Sequence, residues 1–382
     1  MSVTAAQGFV AAGRAAGLKE SGKPDLAVVR NLGPDQHAAV VLTRNRVQAA
    51  PVQWTREVCD GSLSAVVVNS GGANACTGAP GYDDAVRMAE LTARAFEVPR
   101  EEVAVCSTGL IGVRLPMDLL EEAIPQVCAD ADASSGAQAA EAILTTDTVS
   151  KQAVHHGEGW TLGGMAKGAG MLAPGLATML VVITTDAVTT PEDLQHALTV
   201  ATDVTLNRLD SDGCMSTNDT VLLMSSGASG RPVGRAELTA ALTGVCHDLG
   251  QQLLGDAEGA QHDIEVEVVN AASETDAVEV ARAVTSSNLF KCAVFGCDPN
   301  WGRVLSAVGT TRAAFDPQQL DVAFNGVEVC RAGGIGEDRE LVDLSDRTVH
   351  VRIDLHAGEA SASVWTNDLT YDYVKENAEY AT

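Results

Sequence analysis

Met179-Leu-Val-Val-Ile183 is an unbroken apolar run, and Ala65-Val-Val-Val68 and Val103-Ala-Val-Cys106 are built the same way. Successive side chains of a strand point to opposite faces, so a strand with no polar face has to be covered on both. This demands sheets with further layers above and below them. Residues 264–271, 348–355 and 361–368 alternate apolar with polar residues instead, as strands with one wet face do. Shorter β-rich runs occupy 26–29 and 38–43. Helical spacing appears from about Tyr82, where Val86, Ala89, Ala93 and Phe96 share a face, and residues 117–127 and 137–144 also read as helices. Thr190-Pro191-Glu192-Asp193 is a helix start with a capping hydroxyl, a proline at the first position and acids behind it. A long helix from about Gly234 buries Leu238, Leu242, Val245, Leu249 and Leu253. Strands and helices are mixed throughout, without repeats or low-complexity tracts, which predicts layered α/β or α+β sheets.

At 382 residues the chain has room for two to three domains at roughly 150 residues each. It carries 51 acidic against 25 basic residues, a net charge of -26, and so would repel phosphate backbones and anionic lipid. Nucleic acid and membrane are therefore poor partners. Nine scattered cysteines, none spaced C-x-x-C, point to reduced, mostly buried thiols and a cytoplasmic setting. Among eight histidines, His155 and His156 read as part of a polar turn, and no spacing supports a metal site. The start of the chain lacks the pattern of a secretory signal, and no apolar run is long enough to span a bilayer.

The chemistry gathers around the segment before the first apolar run. Residues 165–177 hold three glycines and a proline, and Thr178 stands where this loop meets the strand. The segment is not a phosphate cradle, because Lys167 is followed by Gly-Ala-Gly and a strand rather than by Ser or Thr opening a helix. A threonine suits a strand for ordinary reasons. Three features weigh the other way. Pro174-Gly175 forces a turn next to a rigid strand, a place where backbone strain can be held. Lys167 stands upstream in a glycine-rich stretch that lets backbone amides approach a ligand. Ser107-Thr108-Gly109 ends a strand with a hydroxyl and an amide suited to an oxyanion. A threonine nucleophile needs a base, and its own α-amine can serve once the preceding bond is cut.

The stretch Lys167-Gly-Ala-Gly-Met-Leu-Ala-Pro-Gly-Leu-Ala-Thr178 resembles the self-cleavage segment of the bifunctional ornithine acetyltransferases, or glutamate N-acetyltransferases, of the cyclic arginine pathway. The likeness extends in order through Thr43–Arg46, Asn69–Gly78, Ser107–Gly112, Thr145–Thr148, Ser216–Thr220, Glu258–Ala260, Asp298–Arg303 and Asn377–Thr382. It implies an N-terminal-nucleophile-like layered α/β sandwich with a second, smaller α/β domain. It also implies autoproteolysis between Ala177 and Thr178, giving an α chain (1–177) and a β chain (178–382) that stay associated and assemble further. N2-acetyl-L-ornithine would acetylate Thr178 and L-ornithine would leave; L-glutamate would then depart as N-acetyl-L-glutamate. The implied roles are nucleophile for Thr178 and oxyanion hole for Thr108 with Gly109. Substrate binding falls to Lys167, Thr178, Glu258, Asn377, Thr382 and one of Thr145 and Thr146, the latter preferred. No cofactor is implied, and members differ in whether acetyl-CoA also serves as donor.

Read on their own residues, Glu258 in a glycine-flanked turn suits an ammonium, Asn377 and Thr382 require a docked C-terminus, and Asp298–Arg303 reads as a pocket-shaping loop. Two departures bear on substrate affinity: Gln261-His262 stands where the family commonly has Thr-Lys, and Asp210–Ser216 is less regular than the family's acidic turn. The rival readings are an amidase or aminopeptidase using the same freed nucleophile, and a binding protein that keeps the fold without the chemistry.

Overall fold

A computed structural model describes residues 2–171 and 179–379, so Ala177, Thr178 and Thr382 lie outside the described residues. The chain forms two compact units. The first takes residues up to Asn207 together with Met215–Asp256; the second takes Arg208–Cys214 and residues 257–379.

The first unit holds strands β1 (Phe9–Arg14), β2 (Leu26–Asn31), β3 (His37–Leu42), β4 (Ala65–Asn69), β5 (Val103–Ser107), β6 (Lys151–His156), β7 (Thr161–Lys167), β8 (Leu180–Thr185) and β9 (Thr220–Ser225). Its helices are α1 (Ala50–Val58), α2 (Gly78–Phe96), α3 (Met117–Ala129), α4 (Gly136–Ala142), α5 (Pro191–Val204) and α6 (Arg235–Gly255). One sheet runs β1-β2-β4-β5 and the other β3-β9-β8-β7-β6, each with a single parallel pair, β4 with β5 and β8 with β9. Every residue of β4, β5, β8 and β9 is buried, as their lack of polar alternation requires. One core joins the two sheets: Met165, Leu180, Val182, Leu222 and Met224 pack in the same cluster as Val28, Val66 and Val105. Helices α5 and α6 pack on each other and cover the five-stranded sheet, while α1, α2 and α3 pack on the four-stranded one. The first unit is a layered α/β sandwich.

The second unit holds β10 (Asp263–Ala271), β11 (Asp321–Phe324), β12 (Val327–Arg331), β13 (Gly334–Ile335), β14 (Thr348–Asp354) and β15 (Ala360–Asn367), with helices α7 (Glu274–Thr285), α8 (Asn288–Phe295), α9 (Trp301–Val308) and α10 (Tyr371–Glu379). Its sheet, β13-β12-β11-β14-β10-β15, pairs β10 parallel with β14 and antiparallel elsewhere. Ile264, Val266 and Val268 of β10 are buried under α7, and the residues between them are half-exposed, matching the alternation.

Several sequence expectations change. His155 and His156 end strand β6 rather than forming a turn. Lys167 is the last residue of β7, not a loop residue. Trp301 and Arg303 lie in helix α9, capped by Asn300, whose side chain accepts the Arg303 N–H; only Asp298–Asn300 is loop. The thiols are all free, but Cys76, Cys214, Cys292 and Cys297 are exposed and only Cys106, Cys128, Cys246 and Cys330 are buried. The capping hydroxyl of Thr190 does accept the Asp193 N–H. Among the described residues no helix is long and apolar enough to cross a membrane.

Candidate active site

Strands β4 and β5 run parallel and end together, Asn69 beside Ser107. Two of the sequence motifs brace this end. The Asn69 side chain donates to Gly72 O (2.9 Å) and accepts the Ser107 hydroxyl (2.5 Å), while Asn218 donates to Ser107 O (2.8 Å) and Ala73 O (2.6 Å). As the chain leaves β5, the Thr108 N–H donates to Asn69 O and the Gly72 N–H donates to Thr108 O, both at 3.0 Å. The backbone of Thr108 is thus occupied and its hydroxyl is left for chemistry. Gly109 follows at φ +131°, and a Cβ there would sit 2.7 Å from Gly72 N, so only glycine fits. The Gly109 N–H donates to no group among the described residues. A hydroxyl and an amide at one turn make a pair of donors suited to an oxyanion.

Lys167 reaches this turn from the other sheet. It is 1% exposed, and its Nζ donates to Thr108 Oγ1 at 3.4 Å. A buried ammonium needs a partner, and Asp147 Oδ2 lies 3.8 Å away. Asp147 also accepts from Lys151 Nζ (2.5 Å), Gly168 N–H (2.7 Å) and Thr145 N–H (3.0 Å). Burial alone would raise the Asp147 carboxyl, but Lys167 and Lys151 outweigh it and hold the group well below the usual carboxylate range. Lys151 is shared with Asp256, which also accepts the Thr148 N–H (2.9 Å). Two ammonium groups and two carboxylates therefore balance one another, with Lys151, Lys167 and the Asp147 carboxylate shielded from water and Asp256 at the edge of the cluster. Lys19 lies within electrostatic reach, and burial chiefly brings its amine down to about 8.

Of the expected residues in this unit, Lys167 and Thr108 are in direct contact, and Thr145 joins them through Asp147. Thr145 spends its amide on that carboxylate, whereas the Thr146 hydroxyl has no partner among the described residues. Met179, the first described residue after Thr178 in the chain, donates its N–H to Asp219 Oδ1 at 3.1 Å. Asp219 is fully buried and its Oδ2 meets no donor among the described residues. Burial pushes its carboxyl well above the ordinary range. Sequence reasoning missed Asp147, Lys151, Asp219 and Asp256 as site residues; the signal available for two of them was that Asp147 and Asp219 sit inside the motifs Thr145–Thr148 and Ser216–Thr220.

In the second unit Glu258 occupies a turn and Asn377 lies on α10. The Asn377 side-chain amide donates to Glu258 Oε2 at 3.1 Å, so these two expected residues do meet. Beside them is a cavity of 80 Å³ lined by Asp212, Glu258, Lys291, Asn367 and Tyr373 among others. Lys291 is buried and its amine is lowered mainly by that burial. A larger cleft of 690 Å³ in the first unit, bordered by Arg46, Gln53, Thr77 and Tyr82, contains none of the expected residues and no buried charge.

Paired donors for negative charge at a strand end of a layered α/β fold, backed by a buried lysine, have the chemistry that oxyanion stabilisation in acyl transfer requires. The profile of the ArgJ family matches residues 10–382. The arginine biosynthesis bifunctional protein ArgJ of Streptomyces coelicolor is 61% identical over the full length of both chains, and that of Thermobifida fusca 60%. Among solved structures, an ornithine acetyltransferase of Mycobacterium tuberculosis complexed with ornithine is 53% identical over 47% of this chain and 96% of that one, with a TM-score of 0.45. The chain belongs to the ArgJ family. It is an acetyltransferase of arginine biosynthesis.

Proposed function

We propose that the chain first cuts itself between Ala177 and Thr178, and then carries an acetyl group on Thr178 from N2-acetyl-L-ornithine to L-glutamate. In the cut, the Thr178 hydroxyl oxygen adds to the Ala177 carbonyl carbon, the acyl group passes from nitrogen to oxygen, and water releases the ester. The freed α-amine, with a reference value near 7.7–8.0, then takes the proton of its own hydroxyl. That oxygen attacks the acetyl carbonyl of acetylornithine. The oxyanion formed accepts from Thr108 Oγ1–H and Gly109 N–H, ornithine departs with a proton, and the glutamate amine attacks the acetyl ester to give N-acetyl-L-glutamate.

The observation that carries this reading is the Lys167 to Thr108 contact. Because the ammonium donates to the hydroxyl oxygen, the Thr108 proton points elsewhere and is made a better donor by the adjacent charge. Glu258 with Asn377 supplies a carboxylate for an ammonium of the amino-acid substrate, and Thr146, Lys167 and Thr382 complete the binding set. The word bifunctional in the relatives' names supports acetyl-CoA as a second acetyl donor to glutamate. The two fragments remain together, assemble further, and work in the cytoplasm.

Acetylornithine consumption with and without glutamate tests the transfer. It should depend on glutamate and vanish in Thr178→Ala; consumption that ignores glutamate would assign the site to a hydrolase. Glutamate acetylation from acetyl-CoA alone tests the second donor.

A further inference from the structure

The chain between β1 and β2 doubles back at the end of the four-stranded sheet where Leu26, Asn69 and Ser107 lie side by side. One carboxylate ties it down. Asp25 is fully buried, and its side chain accepts the backbone N–H groups of Ala16 (2.6 Å), Leu18 (2.7 Å) and Lys19 (3.0 Å), while its carbonyl oxygen accepts the Ser70 N–H at 2.9 Å. Leu18 is pressed onto Gly71, where a Cβ would lie 2.3 Å from Leu18 Cβ. The next residue, Gly72, donates its N–H to Thr108 O at 3.0 Å. The loop that carries Lys19 is therefore fastened to the segment that braces the Thr108–Gly109 turn.

The Lys19 side chain is half-buried, and its Nζ donates to Pro24 O at 2.7 Å, which closes the loop on itself. No carboxylate among the described residues pairs with this ammonium, because both Asp25 oxygens are occupied by amides. An ammonium has three N–H groups, so two remain for a ligand. Lys167 and Asp147 act on Lys19 electrostatically, which places its charge toward the same end of the sheet as the Lys167 to Thr108 contact. The cluster of Lys167, Lys151, Asp147 and Asp256 is balanced within itself and leaves Lys19 without a counter-charge. A half-buried cation with spare donors suits an anion brought by the substrate. Acetylornithine and glutamate share one such group. Each carries its α-carboxylate on the carbon bearing the nitrogen that loses or gains the acetyl group, so the carboxylate stands at one fixed distance from the reacting centre in both half-reactions. Their side-chain ends, an amine in one and a carboxylate in the other, cannot use a common cation.

We propose that Lys19 binds the α-carboxylate of the amino-acid substrate in both half-reactions, its ammonium held beside the Thr108–Gly109 turn by the Asp25-bound loop. The proposal rests on reading that turn as the site of acetyl transfer. The carboxylate keeps its charge from the bound substrate through the transition state, so the contact belongs in KM rather than in kcat.

Lys19→Met removes the charge and keeps an apolar stem, and Lys19→Gln also keeps a donor for Pro24 O should loop closure matter for folding. In either variant KM for acetylornithine and for glutamate should rise about ten-fold, the contribution of one hydrogen bond between charged groups, with kcat within about two-fold. N-acetyl-1,4-diaminobutane is acetylornithine without its α-carboxylate. As donor it should be poor, and equally poor in wild type and in both variants. An acetylornithine KM that neither substitution changes, or a loss of the same size on both donors, would overturn the proposal. Absence of any acetyl transfer in wild type would count against the reading of the turn instead. Binding of L-ornithine and of 1,4-diaminobutane by calorimetry, which needs no chemistry, would then still decide the contact: Lys19→Gln should weaken only the first, and equal effects on the two would overturn it.

Discussion

Lys167 carries a full charge where water does not reach, and it does so because Asp147 stands beside it. The same charge acts on Thr108, so removing the threonine hydroxyl should separate the chemical step from folding. Thr108→Val keeps the β-branched shape and both backbone hydrogen bonds, and kcat should drop about 10²- to 10³-fold, as when one oxyanion donor is lost elsewhere, while the melting temperature changes little. A variant with wild-type kcat would remove Thr108 from the oxyanion hole. Asp219 presents the reverse electrostatic situation, a fully buried carboxyl whose burial outweighs the nearby charge of Lys167. Its folded-state value lies above the unfolded one, so it adds no penalty below the usual carboxylate range, and folding is weakened as pH rises from there through the folded value. Asp219→Asn still accepts the Met179 N–H and never ionises. It should gain stability over wild type as pH climbs from about 4 toward neutrality, with the difference closing at about pH 4 and below. Urea melts at several pH values would show this, and a difference that grows on acidification would contradict the assignment.

Between elements, the close approach of the Glu258 turn to α10 depends on a residue with no side chain. Gly259 has φ +63°, and a Cβ there would lie 2.2 Å from Tyr373 N. Gly259→Ala should push α10 away and part Glu258 from Asn377, raising KM several-fold and costing about 1–3 kcal/mol of stability. An unchanged KM would show that substrate binding does not depend on this contact. These relations also mark the limit of what sequence could reveal. The doubly buried strands β4, β5 and β8, the alternating β10, the cap of α5 and the apolar face of α6 were legible because each is a local pattern with one physical meaning. Strand β7 was not. It contains Gly163, where a Cβ would meet Ser2 O at 2.3 Å, so a strand that has to admit another backbone looks like a loop. Helix α9 was hidden behind Pro299 and Gly302, and α7 and α8 are short helices that lean on the sheet and on each other. The donor pair Thr108–Gly109 could be read from a strand end. Lys151 and Asp256 could not, since Asp256 joins Lys151 from 105 positions away.

For the molecule as a whole, the proposed cut falls between two strands that are paired along their full length. β7 and β8 run antiparallel from Leu162 opposite Thr185 to Lys167 opposite Leu180, and β8 continues the sheet through β9 to β3. The five-stranded sheet thus takes three strands from before Thr178 and two from after it. Separating the fragments would expose the hydrogen-bonding edges of those strands and the core cluster that contains Met165, Leu180 and Val182, so the cut should leave a folded, non-covalent pair. Unfolding then becomes a dissociation. Its midpoint should rise with protein concentration in the cut protein, by mass action, whereas unfolding of an uncut Thr178→Ala chain gains no such dependence. The wild-type protein should accordingly run as one species on a sizing column, as two bands near half the parent length on a denaturing gel, and with a melting temperature that climbs across a hundred-fold concentration series. Since assembly of several copies would add its own concentration dependence, the informative quantity is the extra slope of wild type over Thr178→Ala at the same assembly state. Equal slopes in two proteins that differ on the gel would mean that the sheet does not hold the fragments together, and fragments that part on the column without denaturant would mean the same.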